Sequence, residues 1–472
     1  MIILVASALL LQDWPKIEWT TAEVEYGGDK VLVRRGTLEV PERYEGLSRV
    51  LKLPVAALPA RGQAAGAPIV FLHGGPGGSG LGFAQSDAGE AFFSSMRDAG
   101  EVVVFDQRGG PMTTPALIAP LSRLLPEDVL LNQEKFSEYF VAEAKSAVGA
   151  FEGKADLTCY TTVENAKDLD LLRQALGVEK IKLLAHSYGT HLAQAYLKQF
   201  PDRVESAVLM GTEGLDMTVK LPSTYKRQLD QLTELIKDHP NTKNDVPNFS
   251  LLFQRAVAKL DREPLVARIP VAGEFKEFKV GGFGLMWLLR WDIGDTAHLP
   301  LFPRIVHAAY DGDVTPLLPM LRKRHAQVLA GFPLVSFVMD AASGADPARL
   351  DLVKRESAGF FFAPVVNMGL DALGGQLGGR VLGPEFRQPV RTNVPTLFVS
   401  GTLDSNTPPS QAEDVRKGFA RSWHLVMRNG GHEDCLWNKD AISAVVEFLK
   451  SGTSQSRVIS LPVPDFQPIL ED

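Results

Sequence analysis

Six short apolar runs, each closed by turn residues, constrain the fold of this sequence more than any other feature. They are IVFL at residues 69–72, VVVF at 102–105, IKLLA at 181–185, SAVLM at 206–210, TLFVS at 396–400 and HLVM at 424–427. Runs this short and this apolar are typical of strands that are buried on both faces. Helical stretches separate several of them, and one begins after a capping threonine, Thr161 or Thr162, and ends at Gly177. The alternation predicts an α/β fold, with a mostly parallel sheet covered by helices on both faces.

The length of 472 residues is too great for one small core and suits a large α/β domain that carries an inserted second domain. Residues 30–60 contain short strands broken by Pro and Gly, which predict an antiparallel lead-in to the sheet. Between residues 212 and 390 the alternation gives way to mainly helical patterns with loops rich in Gly and Pro. We therefore predict a signal-like or N-terminal segment at 1–18, a core domain formed by 19–211 and 391–472, and a helical cap over 212–390.

Charge and hydropathy exclude two classes of protein. The formal net charge is -7, and Lys and Arg are scattered along the chain. A nucleic-acid partner would require a basic stripe, so none is expected. No apolar run approaches the ~20 residues of a membrane-spanning helix, so no integral membrane segment is expected either.

The compartment stays open at this level. Residues 1–12 (MIILVASALLLQ) resemble the apolar middle of a signal peptide, but they lack a positive flank and a well-placed small-residue cleavage site. They indicate either a periplasmic or secreted protein or a buried N-terminal strand in a cytoplasmic one. Cys159 and Cys435 do not decide between these, because they can pair in an oxidising space or remain thiols. Nothing in the sequence indicates the number of subunits.

The segment Ala185-His186-Ser187-Tyr188-Gly189 lies directly after the run 181–185 and directly before a predicted helix. A serine on a tight strand-to-helix turn holds its hydroxyl clear of the sheet, and small residues two positions either side leave room for that turn. The alternative is an ordinary helix N-cap serine. The position between strand and helix favours Ser187 as a nucleophile.

A serine hydroxyl needs a base that takes its proton, and the base needs a group that orients it. Asp404 follows the run 396–400, and His432 follows the run 424–427. Both are expected at the C-terminal edge of the parallel sheet, where sites of open α/β folds form. The chain order Ser, Asp, His is the one that this kind of site requires. We therefore predict Ser187, Asp404 and His432 as a catalytic triad.

Acyl transfer also requires donors for the developing oxyanion. We expect one from the backbone N–H of Tyr188, directly after the nucleophile, and the other from Gly75 in the glycine-rich loop 73–78. That loop also begins a G-x-G-x-x-G pattern at residues 75–80, and Asp106 closes the next run. A dinucleotide-binding site is therefore an alternative, but Pro76 falls where N–H groups should face the pyrophosphate. No histidine shows metal-ligand spacing, and we predict neither a metal nor a cofactor.

Three motifs resemble those of a known family. Residues 73–78 (HGGPGG), 106–109 (DQRG) and 187–189 (SYG) look like the proline iminopeptidase and tripeptidyl aminopeptidase group of α/β-hydrolases. The resemblance implies an α/β-hydrolase fold and an enzyme that releases residues from the free N-terminus of small peptides through an acyl-enzyme on Ser187. It also implies that Arg108 braces the loops of the site.

An aminopeptidase must hold an ammonium group, for which carboxylates of the cap are the physical answer. Relatives often carry an acid late in the cap, whereas residues 360–367 (FFFAPVVN) are apolar here. Glu213 is the best remaining candidate, although a solvated or helix-capping acid is an equal interpretation. The apolar stretch favours the alternative of a carboxylesterase or amidase with the same triad and an ester substrate. A third, remote alternative is an inactive hydrolase fold kept as a binding protein.

Overall fold

The structure is a computed structural model that describes residues 15–46, 48–62, 66–271, 273–373 and 377–469. Residues 1–12, the signal-like stretch of the predicted N-terminal segment 1–18, lie outside the described residues. The strands are β1 (Thr20–Tyr26), β2 (Asp29–Pro41), β3 (Val50–Leu58), β4 (Ile69–Leu72), β5 (Val102–Phe105), β6 (Ile118–Ala119), β7 (Ile181–His186), β8 (Val204–Met210), β9 (Leu265–Val271), β10 (Glu274–Val280), β11 (Phe332–Pro333), β12 (Thr396–Gly401), β13 (Ser422–Arg428) and β14 (Arg457–Ser460).

The helices occupy much of the remaining chain. They are α1 (Gly80–Ala84), α2 (Asp87–Met96), α3 (Gln133–Ala150), α4 (Thr162–Ala175), α5 (Tyr188–Gln199), α6 (Pro222–Asp238), α7 (Phe249–Leu260), α8 (Gly282–Arg290), α9 (Phe302–Asp311), α10 (Leu318–Leu329), α11 (Leu334–Ser343), α12 (Pro347–Ser357), α13 (Met368–Leu373), α14 (Pro384–Arg387), α15 (Pro409–Arg416) and α16 (Lys439–Ser451). The predicted cap of α4 is confirmed, because the side chain of Thr161 accepts a hydrogen bond from the backbone N–H of Glu164.

Among the described residues, ten strands form one sheet in the order β1-β2-β3-β5-β4-β7-β8-β12-β13-β14. Neighbours from β5 onward pair in parallel, whereas β1, β2 and β3 pair antiparallel and β3 joins β5 antiparallel. The prediction of a mostly parallel sheet with an antiparallel lead-in is therefore confirmed. All six apolar runs lie in its parallel part. The edge strands β1 and β14 were not predicted, and their largely exposed, polar side chains explain why.

Helices cover both faces of the sheet, as the apolar runs predict. Along β4, Val70 and Leu72 belong to one hydrophobic cluster, which includes residues of α4, α5 and α11. Ile69 and Phe71 belong to a second cluster on the opposite face, with residues of α2 and α16. Because successive side chains of a strand point to opposite faces, this division places one core on each side of the sheet.

The chain between β8 and β12 contains helices α6 to α14 and the antiparallel hairpin of β9 and β10. Most of these elements pack in a third hydrophobic cluster, which residues 129–140 join from the chain before β7. In α6 the buried residues Tyr225, Leu229, Leu232 and Ile236 recur at helical spacing, so one face of the helix enters this cluster. The hairpin was not predicted in this mainly helical region. Helix α11 instead packs in the cluster of the sheet.

Two further properties concern the compartment. Among the described residues, no helix is both long and apolar enough to cross a membrane. Cys159 and Cys435 are both buried and are not bonded to each other.

Candidate active site

Ser187 lies on a sharp turn between β7 and α5. Its backbone has φ of 55°, a value that non-glycine residues rarely adopt, and its N–H donates to Met210 O at 2.9 Å. Gly189 follows where a Cβ atom would lie 1.9 Å from Leu72 O, so the turn excludes any side chain there. This is the geometry expected of a strained turn that exposes a nucleophile above the sheet.

The three residues of the predicted triad lie within hydrogen-bond distance of one another. His432 Nδ1 lies 2.7 Å from Asp404 Oδ2, and His432 Nε2 lies 3.0 Å from Ser187 Oγ. Since a carboxylate can only accept, Nδ1 carries a proton, and in the neutral form of the imidazole Nε2 can accept the proton of the serine. All three side chains follow the C-terminal ends of parallel strands, namely β7, β12 and β13. The arrangement can activate the serine hydroxyl for nucleophilic attack.

Asp404 is held by its own loop. Its Oδ1 accepts from the N–H groups of Asn406 at 2.8 Å and Thr407 at 2.9 Å, and its Oδ2 accepts from Thr407 Oγ1 at 2.6 Å. Burial alone would raise the pKa of Asp404, but the charge and hydrogen bond of His432 and the two hydrogen bonds from Thr407 lower it to about 2. Burial would likewise lower the pKa of His432, but Asp404 raises it to about 9. The carboxylate therefore favours the imidazolium that forms when the serine is deprotonated.

His186, next to the nucleophile, is buried, and the histidine that contacts Ser187 Oγ is His432. Its Nε2 donates to the backbone carbonyl of His432 at 3.2 Å. Burial lowers the pKa of His186 to about 4, so the ring is neutral at physiological pH. Its role is to support the backbone that carries His432.

Tyr188 and the glycine-rich loop, which carry the predicted oxyanion donors, both lie next to the nucleophile. A Cβ atom on Gly74 would lie 2.7 Å from Ser187 Cβ, so the loop that carries Gly75 lies directly against the serine. Tyr188 is the first residue of α5, where backbone N–H groups have no partner within the helix. Its own phenol is buried and shares a hydrogen bond with Thr162 Oγ1 at 2.8 Å. The side chain of Tyr188 is thus fixed away from its N–H.

Two residues of the DQRG segment form hydrogen bonds with the glycine-rich loop and the start of α1. Gln107 Nε2 donates to His73 O at 2.8 Å. Asp106 Oδ1 accepts from Ser79 Oγ at 2.9 Å and from the N–H of Leu81 at 3.1 Å. The acid that a dinucleotide-binding site would use for a ribose therefore holds the start of α1 instead.

Arg108 lies in the interior with no exposed surface. Its Nε and Nη2 donate to both oxygens of Asp168 at 2.7 and 2.6 Å, and its Nη1 donates to the carbonyls of Glu42 at 2.8 Å and Cys159 at 2.7 Å. A buried guanidinium with a bidentate carboxylate and carbonyl acceptors is fully satisfied. Arg108 thus ties α4, the lead-in strands and the DQRG loop together, and it does not reach the triad.

Glu213 is buried, two residues beyond Gly211, whose Cβ position lies 3.1 Å from His432 Cε1. Its carboxylate forms an ion pair with Lys220 and lies 3.8 Å from His191 Nδ1. Burial would raise the pKa of Glu213, but Lys220 and His191 lower it. The structure therefore brings Glu213 close to the triad and also gives it a cation of its own.

Asp340 on α11 is an acid near Glu213 that sequence reasoning missed. One turn earlier on this helix, Ser336 Oγ donates to Pro76 O at 2.6 Å, and three residues later Ser343 Oγ lies 3.1 Å from His191 Nε2. No described residue forms a hydrogen bond or an ion pair with the carboxyl group of Asp340. Burial and the neighbouring Glu213 raise its pKa well above the usual range, yet the side chain keeps partial solvent access. A lone acid in an otherwise apolar helix was the available signal.

The apolar stretch late in the insertion packs within the protein. Phe362 is fully buried, with its ring centroid 6.0 Å from that of Tyr225 and 5.7 Å from that of Phe253. Phe361 also packs against Phe253, at 5.4 Å. The feature that favoured an apolar substrate pocket therefore has a packing role in the third hydrophobic cluster.

A second serine–histidine–carboxylate set occurs elsewhere in the sheet. Ser400 Oγ lies 3.0 Å from His424 Nε2, and His424 Nδ1 lies 2.6 Å from Glu413 Oε1. Ser400 lies within β12 and is 1% exposed, so no substrate carbonyl can reach its hydroxyl. The set satisfies buried polar groups and is not a candidate site.

Within the described part of the chain, two groups of side chains have the spacing of metal ligands. One comprises His186, His432 and Glu433, and the other Asp292, Asp295 and His298. The first contains the base of the triad. In the second, Asp292 already pairs with Arg324 at 2.7 Å and with Lys323 at 3.3 Å. These cations neutralise the acid that a metal ion would need.

Curated relatives match about two fifths of the chain. The serine protease Hip1 of Mycobacterium tuberculosis is 32% identical over 212 residues, which cover 41% of this chain and 39% of that protein. The tripeptidyl aminopeptidase of Streptomyces coelicolor is 30% identical over 209 residues, covering 41% and 37%. The proline iminopeptidase of Xylella fastidiosa strain 9a5c is 29% identical over 150 residues, covering 32% and 34%. The chain thus spans well under half the length of these relatives.

Solved structures align over most of the chain at low identity. A proline iminopeptidase of Mycobacterium smegmatis is 14% identical with a TM-score of 0.39, covering 88% of this chain and 98% of that one. The 2-hydroxy-6-oxo-6-phenylhexa-2,4-dienoate hydrolase of a Rhodococcus species is 14% identical with a TM-score of 0.37, covering 92% and 99%. The family described as alpha/beta hydrolase fold matches residues 67–439, which include the nucleophile turn and both loops of the triad. The chain belongs to the α/β-hydrolase fold family.

Proposed function

We propose that this chain is a serine hydrolase that releases residues from the free N-terminus of short peptides, through an acyl-enzyme on Ser187. Residues 19–211 and 391–472 form the catalytic domain in this proposal, and residues 212–390 form a cap. The observation that carries the proposal is the hydrogen-bonded chain from Ser187 Oγ through His432 to Asp404, at 3.0 and 2.7 Å.

The proposed reaction follows from this geometry. Ser187 Oγ attacks the carbonyl carbon of the scissile bond while its proton passes to His432 Nε2. Asp404 stabilises the imidazolium, and the N–H groups of Gly75 and Tyr188 donate to the oxyanion. The C–N bond then breaks as the leaving amine takes the proton from His432. Water repeats these steps on the acyl-enzyme, which releases the acid and restores the serine.

The preference for a free amine rests on the acids beside the triad. Glu213 and Asp340 contribute two carboxyl groups and Lys220 one ammonium, so the group carries a net charge of -1 when both acids are ionised. Lys220 already pairs with Glu213, whereas Asp340 lacks a partner among the described residues. Burial and Glu213 favour the protonated form of Asp340, and a substrate ammonium next to it would lower its pKa and pair with the carboxylate that forms. Three of the relatives' names denote proteases or aminopeptidases, which agrees with a peptide substrate.

The test is hydrolysis of alanyl, prolyl and tripeptidyl p-nitroanilides beside their N-acetylated counterparts. We expect turnover of free-amine substrates, little turnover of acetylated ones, and no turnover by Ser187→Ala. Ser400→Ala is the matched control, because it removes a serine hydroxyl that also contacts a histidine but is buried in the sheet. It should retain activity.

Three other outcomes would decide against parts of the proposal. Turnover of p-nitrophenyl esters with no turnover of either peptide series would make the protein a carboxylesterase. Equal turnover of free and acetylated peptides would remove the amine preference. A wild-type protein inert toward both substrates and fluorophosphonates would support a binding role for the fold.

A further inference from the structure

A loop of the insertion contacts the backbone that carries the catalytic histidine. This loop, residues 291–298, connects α8 to the helical turn before α9, and we name it the clamp loop. The carbonyl of Gly294 accepts a hydrogen bond from the N–H of His432 at 2.8 Å. A Cβ atom on Gly431 would lie 2.3 Å from that carbonyl oxygen, so only glycine permits the approach. The close contact thus depends on residues of both loops.

Asp434 joins the two loops a second time. Its Oδ2 accepts from the N–H of Gly431 at 2.6 Å and from Thr296 Oγ1 at 2.8 Å. Its Oδ1 lies 3.0 Å from Thr296 Oγ1 and accepts from Trp437 Nε1 at 2.9 Å. The side chain of Asp434 is buried, so these donors replace the water that its carboxylate has lost. His432 therefore lies between Gly431, whose N–H donates to Asp434, and Asp434 itself, which accepts from Thr296 of the clamp loop.

The clamp loop also lies against the backbone next to the acid of the triad. Gln228 Nε2 on α6 donates to the carbonyl of Ile293 and, at 2.5 Å, to that of Leu403. Leu403 directly precedes Asp404, and the Cβ position of Gly294 lies 3.7 Å from Leu403 O. The loop is itself held by the ion pairs of Asp292 with Lys323 and Arg324. One segment of the insertion thus supports the backbone of both the base and its orienting acid.

We propose that Thr296 and Asp434 are positioning residues, through which the clamp loop sets the orientation of His432 for proton transfer. The inference rests on the proposed function, because it takes Ser187, His432 and Asp404 as the reacting groups. Neither residue touches the nucleophile, and both act through the backbone of His432. We therefore expect their substitution to lower kcat and to leave KM nearly unchanged. A displacement of about 1 Å of a reacting group costs up to about 100-fold in rate.

The test compares Thr296→Val, Thr296→Ser and Asp434→Asn with the wild-type protein. We expect Thr296→Val to lower kcat and the rate of fluorophosphonate labelling by about 10- to 100-fold while KM changes little. Thr296→Ser should restore most of the rate, because it returns the hydroxyl donor to Asp434. Asp434→Asn should lower kcat and alter the pH profile of kcat/KM, since the neutral amide no longer holds the His432 loop as the carboxylate does.

Thr233→Val on α6 is the matched control. Its hydroxyl donates to Leu229 O at 2.8 Å and accepts from the N–H of Ser250 at 3.1 Å, so the variant loses comparable hydrogen bonds elsewhere in the insertion. A loss of kcat in Thr296→Val no greater than in this control would overturn the inference, as would a rise in KM at unchanged kcat. Thermal melting of each variant identifies any that fail to fold. If Asp434→Asn fails to fold, the comparison of Thr296→Val with Thr296→Ser still tests the inference. A wild-type protein that fluorophosphonates do not label would instead overturn the proposed function.

Discussion

Replacing Asp340 by asparagine tests the proposed recognition of the substrate amine most directly. The substitution keeps the shape of the side chain and removes the negative charge that Asp340 would carry when it pairs with a substrate ammonium. Helix α11 places Asp340 between Ser336, which contacts the glycine-rich loop, and Ser343, which contacts His191. The variant therefore changes the charge beside the triad without changing a contact that holds the helix in place.

The size of the effect follows from the environment of the carboxyl group. A hydrogen bond to a charged group contributes about 1.5–3 kcal/mol, which corresponds to about a 10- to 150-fold change in kcat/KM. Burial and Glu213 raise the pKa of Asp340, so ionising the acid consumes part of this energy, and we expect an effect in the lower part of this range. Glu213 remains in the variant, but Lys220 already holds it, so it compensates only weakly.

The assay measures kcat/KM for an alanyl p-nitroanilide and its N-acetylated counterpart in the wild-type protein and in Asp340→Asn. We expect the loss only for the free amine, because the acetylated substrate carries no charge for the acid to bind. Asp351→Asn on α12 is the matched control, because it makes the same substitution at an exposed position of the surface. Equal losses for both substrates, or no loss for the free amine, would refute the assignment of Asp340 to the amine.

Three further predictions concern the triad, the core and the nucleophile turn. Because Asp404 raises the pKa of His432 to about 9, kcat/KM for an uncharged ester should rise with pH from neutrality toward that value, and a profile already flat above pH about 7 would contradict this. Arg108→Met should lower the free energy of unfolding by about 3–5 kcal/mol in urea denaturation, because it leaves the Asp168 carboxylate buried without its partner; Arg108→Met with Asp168→Leu should lose less. Gly189→Ala should abolish fluorophosphonate labelling, because its Cβ would lie 1.9 Å from Leu72 O, and a variant that labels at the wild-type rate would show that the turn can relax.

Much of the sheet was predictable because its strands carry their own signal. β4 and β5 are apolar at every position and β7 at four of six, which burial on both faces explains. The edge strand β1 has one buried residue among seven and gives no such signal. The hairpin of β9 and β10 lay in a region whose helical patterns dominated the interpretation. An apolar sequence pattern thus predicts the central strands of the sheet. It misses strands such as β1, β9 and β10, whose residues are not uniformly apolar and which are recognised only by their pairing with a neighbour.

The candidate site divides in the same way. Ser187, Asp404 and His432 each follow an apolar strand, and the topology of a parallel sheet brings such positions together. The amine-binding role of Glu213 stays a prediction, and its ion pair with Lys220 was not visible because partners of a buried acid are set by tertiary contacts. Asp340 was missed for a related reason, since its helix is distant in sequence and its relation to the triad exists only in the folded chain.

The hydrogen bond between Gly294 and His432 has a consequence for protein engineering. Caps of hydrolases are attractive units for exchange between enzymes, because specificity can be changed while the catalytic domain is kept. In this chain a cut at residues 212 and 390 would remove Gly294 and Thr296, so the N–H of His432 would lose its acceptor and the Asp434 carboxylate would lose the Thr296 hydroxyl. Ser336 would be removed as well, with its contact to Pro76. A functional chimera would therefore have to transplant the histidine loop and the glycine-rich loop together with residues 212–390, the proposed cap, so that the exchangeable unit is a set of paired loops rather than a contiguous segment.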